Sequence, residues 1–112
     1  MSMTIEEIRD ILHHGTLTIG THAALRMLER GITEFEVRST ILHGRIIEEY
    51  PNQNPFPRCL IFRAKINNRP LHVVVGVNRE GMDLFLVTTY VPTLDKWEPD
   101  FETRRQKNHA EE

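Results

Sequence analysis

At Gly44 the hydrophobic pattern of the chain changes period. Before it, apolar residues recur at helical spacing. After it, they alternate as in strands that bury one face. The helical part has three segments with start and stop signals. Thr4-Ile5-Glu6-Glu7 has capping-box spacing, Ile5, Ile8, Ile11 and Leu12 follow, and Gly15 stops the segment. A second helix is predicted from Thr21 to Gly31, with Leu25, Leu28 and Ile32 as its buried stripe. A third opens on Thr33-Glu34-Phe35-Glu36, again a capping box, and ends at Gly44.

Past Gly44 the strands are expected at Arg45 to Tyr50, Arg58 to Ile66, Pro70 to Asn78 and Asp83 to Val91. Pro51 to Pro57 carries three prolines and two asparagines and reads as a loop. Asn67-Asn68 suits a two-residue hairpin, because asparagine tolerates positive φ. The expected fold is one α+β domain: a helical half over residues 4–44 packed on a four-stranded antiparallel sheet over 45–92, with a polar tail over 93–112. The hairpin sets a register in which Ala64 faces Leu71, Phe62 faces Val73 and Leu60 faces Val75. That wholly apolar face, extended by Leu84 and Leu86, should pack on the helices. The same register places Arg63 opposite His72, and the next turn places His72 opposite Thr89. His72 is thus expected on the face away from the helices, beside a cation and a hydroxyl. Tyr90 falls on the helix side unless a bulge turns it.

Composition narrows the function classes. The 112 residues are 39% hydrophobic and 27% charged, ordinary for a soluble domain, and the longest apolar runs fall far short of a membrane span. The chain starts in a charged helical pattern with no signal-peptide character, so a cytoplasmic place is expected. A single cysteine, Cys59, allows no disulfide within the chain. The net charge of −2 argues against bulk electrostatic binding of nucleic acid. Between Arg9 and Arg79, however, ten Lys/Arg face six acids, so the middle is +4 and leaves room for a local basic groove.

In the second helix His22, Arg26 and Arg30 recur every four residues, with Glu29 beside them. Such a stripe can hold a phosphate, since guanidinium matches phosphate oxygens in pairs. It can equally be a solvated face with weak local ion pairs. His72, mid-strand, has the residue type for a general acid or base, or for a half-buried histidine bonded to a neighbour. Tyr90 and Tyr50 could donate protons or simply pack. His13 and His14 are adjacent and cannot share a helix face, and His22, His43 and His72 show no ligand spacing. No metal and no cofactor is therefore expected. Cys59 lies inside a strand and reads as packed rather than nucleophilic.

Four strings in fixed order resemble a bacterial family, domain of unknown function 4258. They are His22-Ala23-Ala24-Leu25-Arg26-Met27-Leu28-Glu29-Arg30-Gly31-Ile32, Gly44-Arg45-Ile46-Ile47-Glu48-Glu49-Tyr50-Pro51, Arg69-Pro70-Leu71-His72-Val73-Val74, and Thr88-Thr89-Tyr90-Val91-Pro92 with Trp97 behind it. The family is similar to the RelE/ParE and BrnT toxins, whose helices pack on an antiparallel sheet. The resemblance implies the toxin of a type II toxin–antitoxin pair, a metal-independent ribonuclease of the mRNA-interferase kind. Its partner would be a cognate antitoxin, such as a zinc-finger protein of the MqsA type. A gyrase-poisoning toxin and a non-enzymatic module binding nucleic acid or protein are the alternatives. On the ribonuclease reading, His22, Arg26, Arg30, His72 and Tyr90 are the candidate catalytic residues. Arg63, Arg69 and Tyr50 are the candidates for holding RNA. For the two sets to converge, the second helix must lie at the sheet edge.

Overall fold

The computed structural model describes residues 3–106. Three helices run early in the chain: α1 (Ile5–His14), α2 (Thr21–Arg30) and α3 (Glu34–His43). The sheet consists of β1 (Thr16–Thr18), β2 (Arg45–Tyr50), β3 (Arg58–Ile66), β4 (Arg69–Asn78) and β5 (Asp83–Tyr90). The helix signals act as their chemistry requires. Thr4 accepts from the Glu7 amide, and Thr33 and Glu36 cap α3 reciprocally. Gly31 ends α2 in the left-handed region at φ 64°, where a Cβ would be strained.

The sheet differs from the expected four antiparallel strands. It has five, in the order β1-β5-β4-β3-β2, and β1 runs parallel to β5. Thr16-Leu17-Thr18 is too short to show a period, and it is held by pairing with Asp83 to Phe85 rather than by a pattern of its own. Asp83 Oδ1 accepts from the hydroxyls of both Thr16 and Thr18.

The Asn67-Asn68 hairpin forms, with both residues at positive φ, and Ile66 pairs with Arg69. Beyond that pair the register departs from expectation. A bulge between Arg63 and Ile66 inserts one extra residue into β3, so Arg63 faces Leu71, Phe62 faces His72 and Ile61 faces Val73. One residue of slip moves every β3 side chain to the opposite face. Arg63 therefore lies on the helix side, where its Nη1 donates to Ser39 Oγ of α3 at 2.6 Å, and it is no neighbour of His72. A second irregularity, between Val74 and Val75, puts His72 opposite Tyr90 rather than Thr89. It turns Tyr90 onto the face of His72 and sends Thr89 to the helix side.

On β4 the alternation is as expected. Leu71, Val73 and Val75 are fully buried, and with Ile61, Leu84 and Leu86 they pack on Ile8, Ile11, Val37 and Ile41 of the helices. α2 behaves otherwise. Ile32 is buried as expected, but Leu25 and Leu28 are 48% and 79% exposed, and Ala23 and Met27 are buried in their place. The reason is position: α2 lies against β5 near the sheet edge, where only a narrow stripe of a helix meets the sheet. Because β1 covers only the start of β5, the Thr88–Tyr90 end of that strand is a free edge, and Arg30 reaches it.

Candidate functional site

Over His72 the sheet face away from the helices is covered by the chain after Pro92, which folds back as an irregular hairpin, while Phe56 and Phe85 pack at its other end. The amides of Lys96 and Trp97 donate to the Thr93 carbonyl, and Trp97 bridges to Arg104. The tip is held by Asp100, whose carboxylate accepts from the amides of Glu102 and Thr103. Asp100 consequently sits below the usual carboxylate range, those two amides being the main cause. Trp97 is 2% exposed and lies edge-on to His72, with ring centroids 4.4 Å apart. Phe62 and Tyr90 close the other sides of the imidazole at 5.5 and 5.3 Å. His72 is 0% exposed.

This enclosure fixes the state of His72. Nε2 lies 2.7 Å from the Phe101 carbonyl oxygen, which can only accept, so Nε2 carries the proton. Nδ1 is then a lone-pair acceptor, and the Tyr90 hydroxyl donates to it at 3.3 Å. Burial lowers the affinity of His72 for a second proton, and the Phe101 carbonyl and Glu48 offset this only partly. The imidazole is neutral, with its basic nitrogen pointed at a phenol.

Tyr90 lines a cleft of about 320 Å³ at the end of β5, together with Arg30, Val91, Thr93, Lys96, Trp97 and Arg104. Burial raises the Tyr90 phenol above its ordinary value, while the charges of Arg104 and Arg30 pull it down. The three cations are held differently. Arg30 uses Nη1 on Thr88 Oγ1 at 3.2 Å and on the Thr89 carbonyl at 2.9 Å, leaving its other nitrogens to the cleft. Arg104 lies over the Trp97 ring, 4.6 Å from the centroid, and its Nε and Nη2 bind Glu48 at 2.8 and 3.1 Å. Lys96 is exposed, and no carboxylate among the described residues forms a salt bridge with it. The cleft is cationic although the whole chain is not.

Of the residues singled out from sequence, the structure brings together Arg30, Tyr90 and His72. Tyr50 lies one shell away: its hydroxyl donates to Glu48, and burial, followed by that bond, pushes its phenol up to about 12. Arg69 is a brace. Its Nη2 donates to the Gly31 carbonyl at 2.7 Å and to the Glu36 carboxylate at 3.3 Å, fixing the end of α2 beside Arg30. Arg26 pairs with Glu29 at 2.8 Å on open surface, and His22 is exposed on the first turn of α2. Neither lines the cleft. Arg63 is on the far side of the sheet. Burial pushes the Cys59 thiol up to about 12, as befits a packed side chain. Among the described residues no three His, Cys, Asp or Glu side chains cluster as metal ligands would.

Sequence reasoning missed Lys96, Arg104, Glu48 and the Phe101 carbonyl. The available signal was Trp97. A lone tryptophan in a polar segment seldom stays in water, and where it docks, its neighbours dock with it.

A small α+β scaffold thus carries a tyrosine backed by a neutral buried histidine, facing a cationic cleft. The family model described as "Domain of unknown function (DUF4258)" matches residues 19–91, and the chain belongs to that family. No curated protein and no solved structure matches the chain. Arg30, His72 and Tyr90 lie inside the matched stretch, whereas Lys96, Trp97 and Arg104 lie beyond it. No described helix is long and apolar enough to cross a membrane.

Proposed function

We propose that the chain is a metal-independent ribonuclease, the toxin of a bacterial toxin–antitoxin pair held silent by its cognate antitoxin. The observation that carries this reading is the Tyr90 hydroxyl. It belongs to a residue that lines a cationic cleft, and it donates to the free nitrogen of a neutral histidine. RNA supplies its own nucleophile, so the protein needs only to move one proton and to hold the phosphate. The 2′-hydroxyl gives its proton to the Tyr90 oxygen as Tyr90 passes its own to His72 Nδ1. The 2′-oxygen bonds to phosphorus, and the bond from phosphorus to the 5′-oxygen breaks. The leaving oxygen takes a proton from water in the open cleft, and the hydroxide left behind is neutralised by the proton that His72 returns through Tyr90. The products are a 2′,3′-cyclic phosphate and a 5′-hydroxyl. The imidazolium formed on the way is steadied by the Phe101 carbonyl, and Arg30 and Lys96 face the non-bridging oxygens. A positioned base of this kind is worth roughly 10²–10⁴-fold, and a preorganised charge clamp adds a comparable factor.

The test uses the purified full chain and a single-stranded RNA in excess chelator. Fragments with 2′,3′-cyclic phosphate and 5′-hydroxyl ends, together with growth arrest when the chain is expressed without a partner, are expected. RNA left intact, or cut only when a divalent cation is supplied, overturns the reading. The full burial of His72 favours one other reading, a module that binds RNA without cutting it. Tight binding with no fragments is its signature.

A further inference from the structure

We propose that Arg104 is a stacking platform for an unpaired nucleobase, so that the cleft takes single-stranded rather than duplex RNA. The inference rests on the RNA reading above and adds the substrate class. Three cations line the cleft, and a phosphate clamp needs a free fork. Arg104 offers only part of one. Its Nε donates to Glu48 Oε2 at 2.8 Å and its Nη2 to Glu48 Oε1 at 3.1 Å, so that fork is filled and its charge is met. Nη1 keeps its donors, and the flat of the guanidinium remains. One side lies over the Trp97 ring, the side chain is nevertheless 54% exposed, and Arg104 lines the cleft.

The plane is also rigidly held, which a platform requires. Glu48 fixes it edgewise, and Glu48 is itself fixed by the Tyr50 hydroxyl. Trp97 fixes it from beneath and is wedged against His72. An exposed arginine ordinarily loses much rotamer freedom when it binds, and here that cost is met in the fold. A planar, weakly hydrated cation over an indole presents a face of the kind on which splayed single-stranded bases stack. Arg30 and Lys96 keep nitrogens for the adjoining phosphate. A base on Arg104 would place its own phosphodiester along the cleft toward Tyr90. Paired bases in a duplex are stacked on their neighbours and have no face to give.

The sole tryptophan lies beneath the platform, so it serves as the reporter. The full chain is titrated with a short 2′-O-methyl oligoadenylate, which cannot be cleaved, and with an abasic oligomer of the same length and charge. Stacking on one base is commonly worth a factor of roughly ten or more. The expected result is about tenfold tighter binding of the base-bearing oligomer, with a change in Trp97 emission that the abasic oligomer does not produce. Arg104→Lys keeps the charge and loses the plane, and it should shrink the preference to about twofold. Unliganded Trp97 emission and the thermal midpoint show whether that variant keeps its tail folded. If it does not, the wild-type comparison decides alone. Equal binding of both oligomers, or a preference unchanged in a folded Arg104→Lys, overturns the platform and leaves the cleavage reading standing. Absence of binding by either oligomer overturns both.

Discussion

The two faces of the sheet are both buried at their centres, yet they are built in opposite ways. The helix side is sealed by regular elements: Leu71, Val73 and Val75 meet Ile8, Val37 and Ile41 in one apolar cluster. The other side is covered around His72 by an irregular segment from Thr93 to Arg105, and the buried residues there include Leu60, Phe62, His72 and Trp97. The first face also buries polar groups, Glu36, Ser39, Thr40 and Thr89, but none of them lines the cleft. The second holds a neutral histidine, a phenol and three cations within one small volume. The proposed chemistry lies on the irregular side, where the Phe101 carbonyl is turned onto the buried imidazole.

If that division is right, the two faces should fail differently. Leu71→Ala removes fully buried volume from the helix side and should cost about 2–5 kcal/mol, a large share of the roughly 5–15 kcal/mol that holds a domain of this size. RNA cleavage per folded molecule should barely change. Trp97→Ala also removes fully buried volume and should cost about 3–5 kcal/mol, but in the molecules that stay folded cleavage should fall by roughly 10²-fold or more because the cleft loses its wall. A Trp97→Ala protein that fails to fold at all would show that the tail belongs to the same cooperative unit as the helix-side core.

Acid separates the faces as well. His72 binds its second proton less readily folded than unfolded, mainly through burial, so below its ordinary value of 6.5 the unfolded chain takes up the proton first. Stability should therefore fall as pH drops below 6.5, from the tail side. Glu36 on the helix side acts in the same sense, at lower pH and for a different reason. Burial alone would raise it, but bonds from Thr33, Asn67 and Arg69 hold it below its ordinary 4.5. Its contribution persists until pH falls below 4.5. Urea midpoints measured across this range should show two declines, and His72→Gln should erase the upper one only. A single decline beginning near 4.5 in the wild type would remove the neutral buried histidine from the account.

The smallest effect is expected at Arg26. Its pair with Glu29 is exposed on both sides and lies outside the cleft. Arg26→Ala should change stability by no more than about 0.5 kcal/mol and cleavage by less than about threefold. Arg30→Ala, by contrast, removes a cleft cation and its anchor on the β5 edge. A large loss in Arg26→Ala would move the site onto the α2 surface.

The sequence carried what local chemistry encodes. The caps at Thr4 and Thr33, the Asn67-Asn68 turn and the alternation of Leu71, Val73 and Val75 are each short-range signals, and each is realised. The two bulges are not short-range. Nothing in Ala64-Lys65 or Val87 says which strand will carry an extra residue, because that depends on what the helices and the tail demand of each face. Arg63 and Tyr90 exchanged expected faces for this reason. The exposure of Leu25 and Leu28 likewise follows from where α2 docks and not from its own periodicity. The site was legible in residue type at Arg30, His72 and Tyr90. Its other half sits in the tail, whose order comes from long-range contacts such as Arg104 with Glu48 and Phe101 with His72.

The central claim is that Tyr90, backed by His72, moves the proton in a cationic cleft. Tyr90→Phe tests it most directly, because it deletes one oxygen and keeps the ring against the imidazole. The measurement is the single-turnover rate of RNA cleavage in chelator by wild type and Tyr90→Phe, with thermal midpoints confirming that both are folded. The account predicts a loss of at least roughly 10²-fold with binding of uncleavable RNA retained. A Tyr90→Phe protein that cuts RNA at the wild-type rate would contradict it.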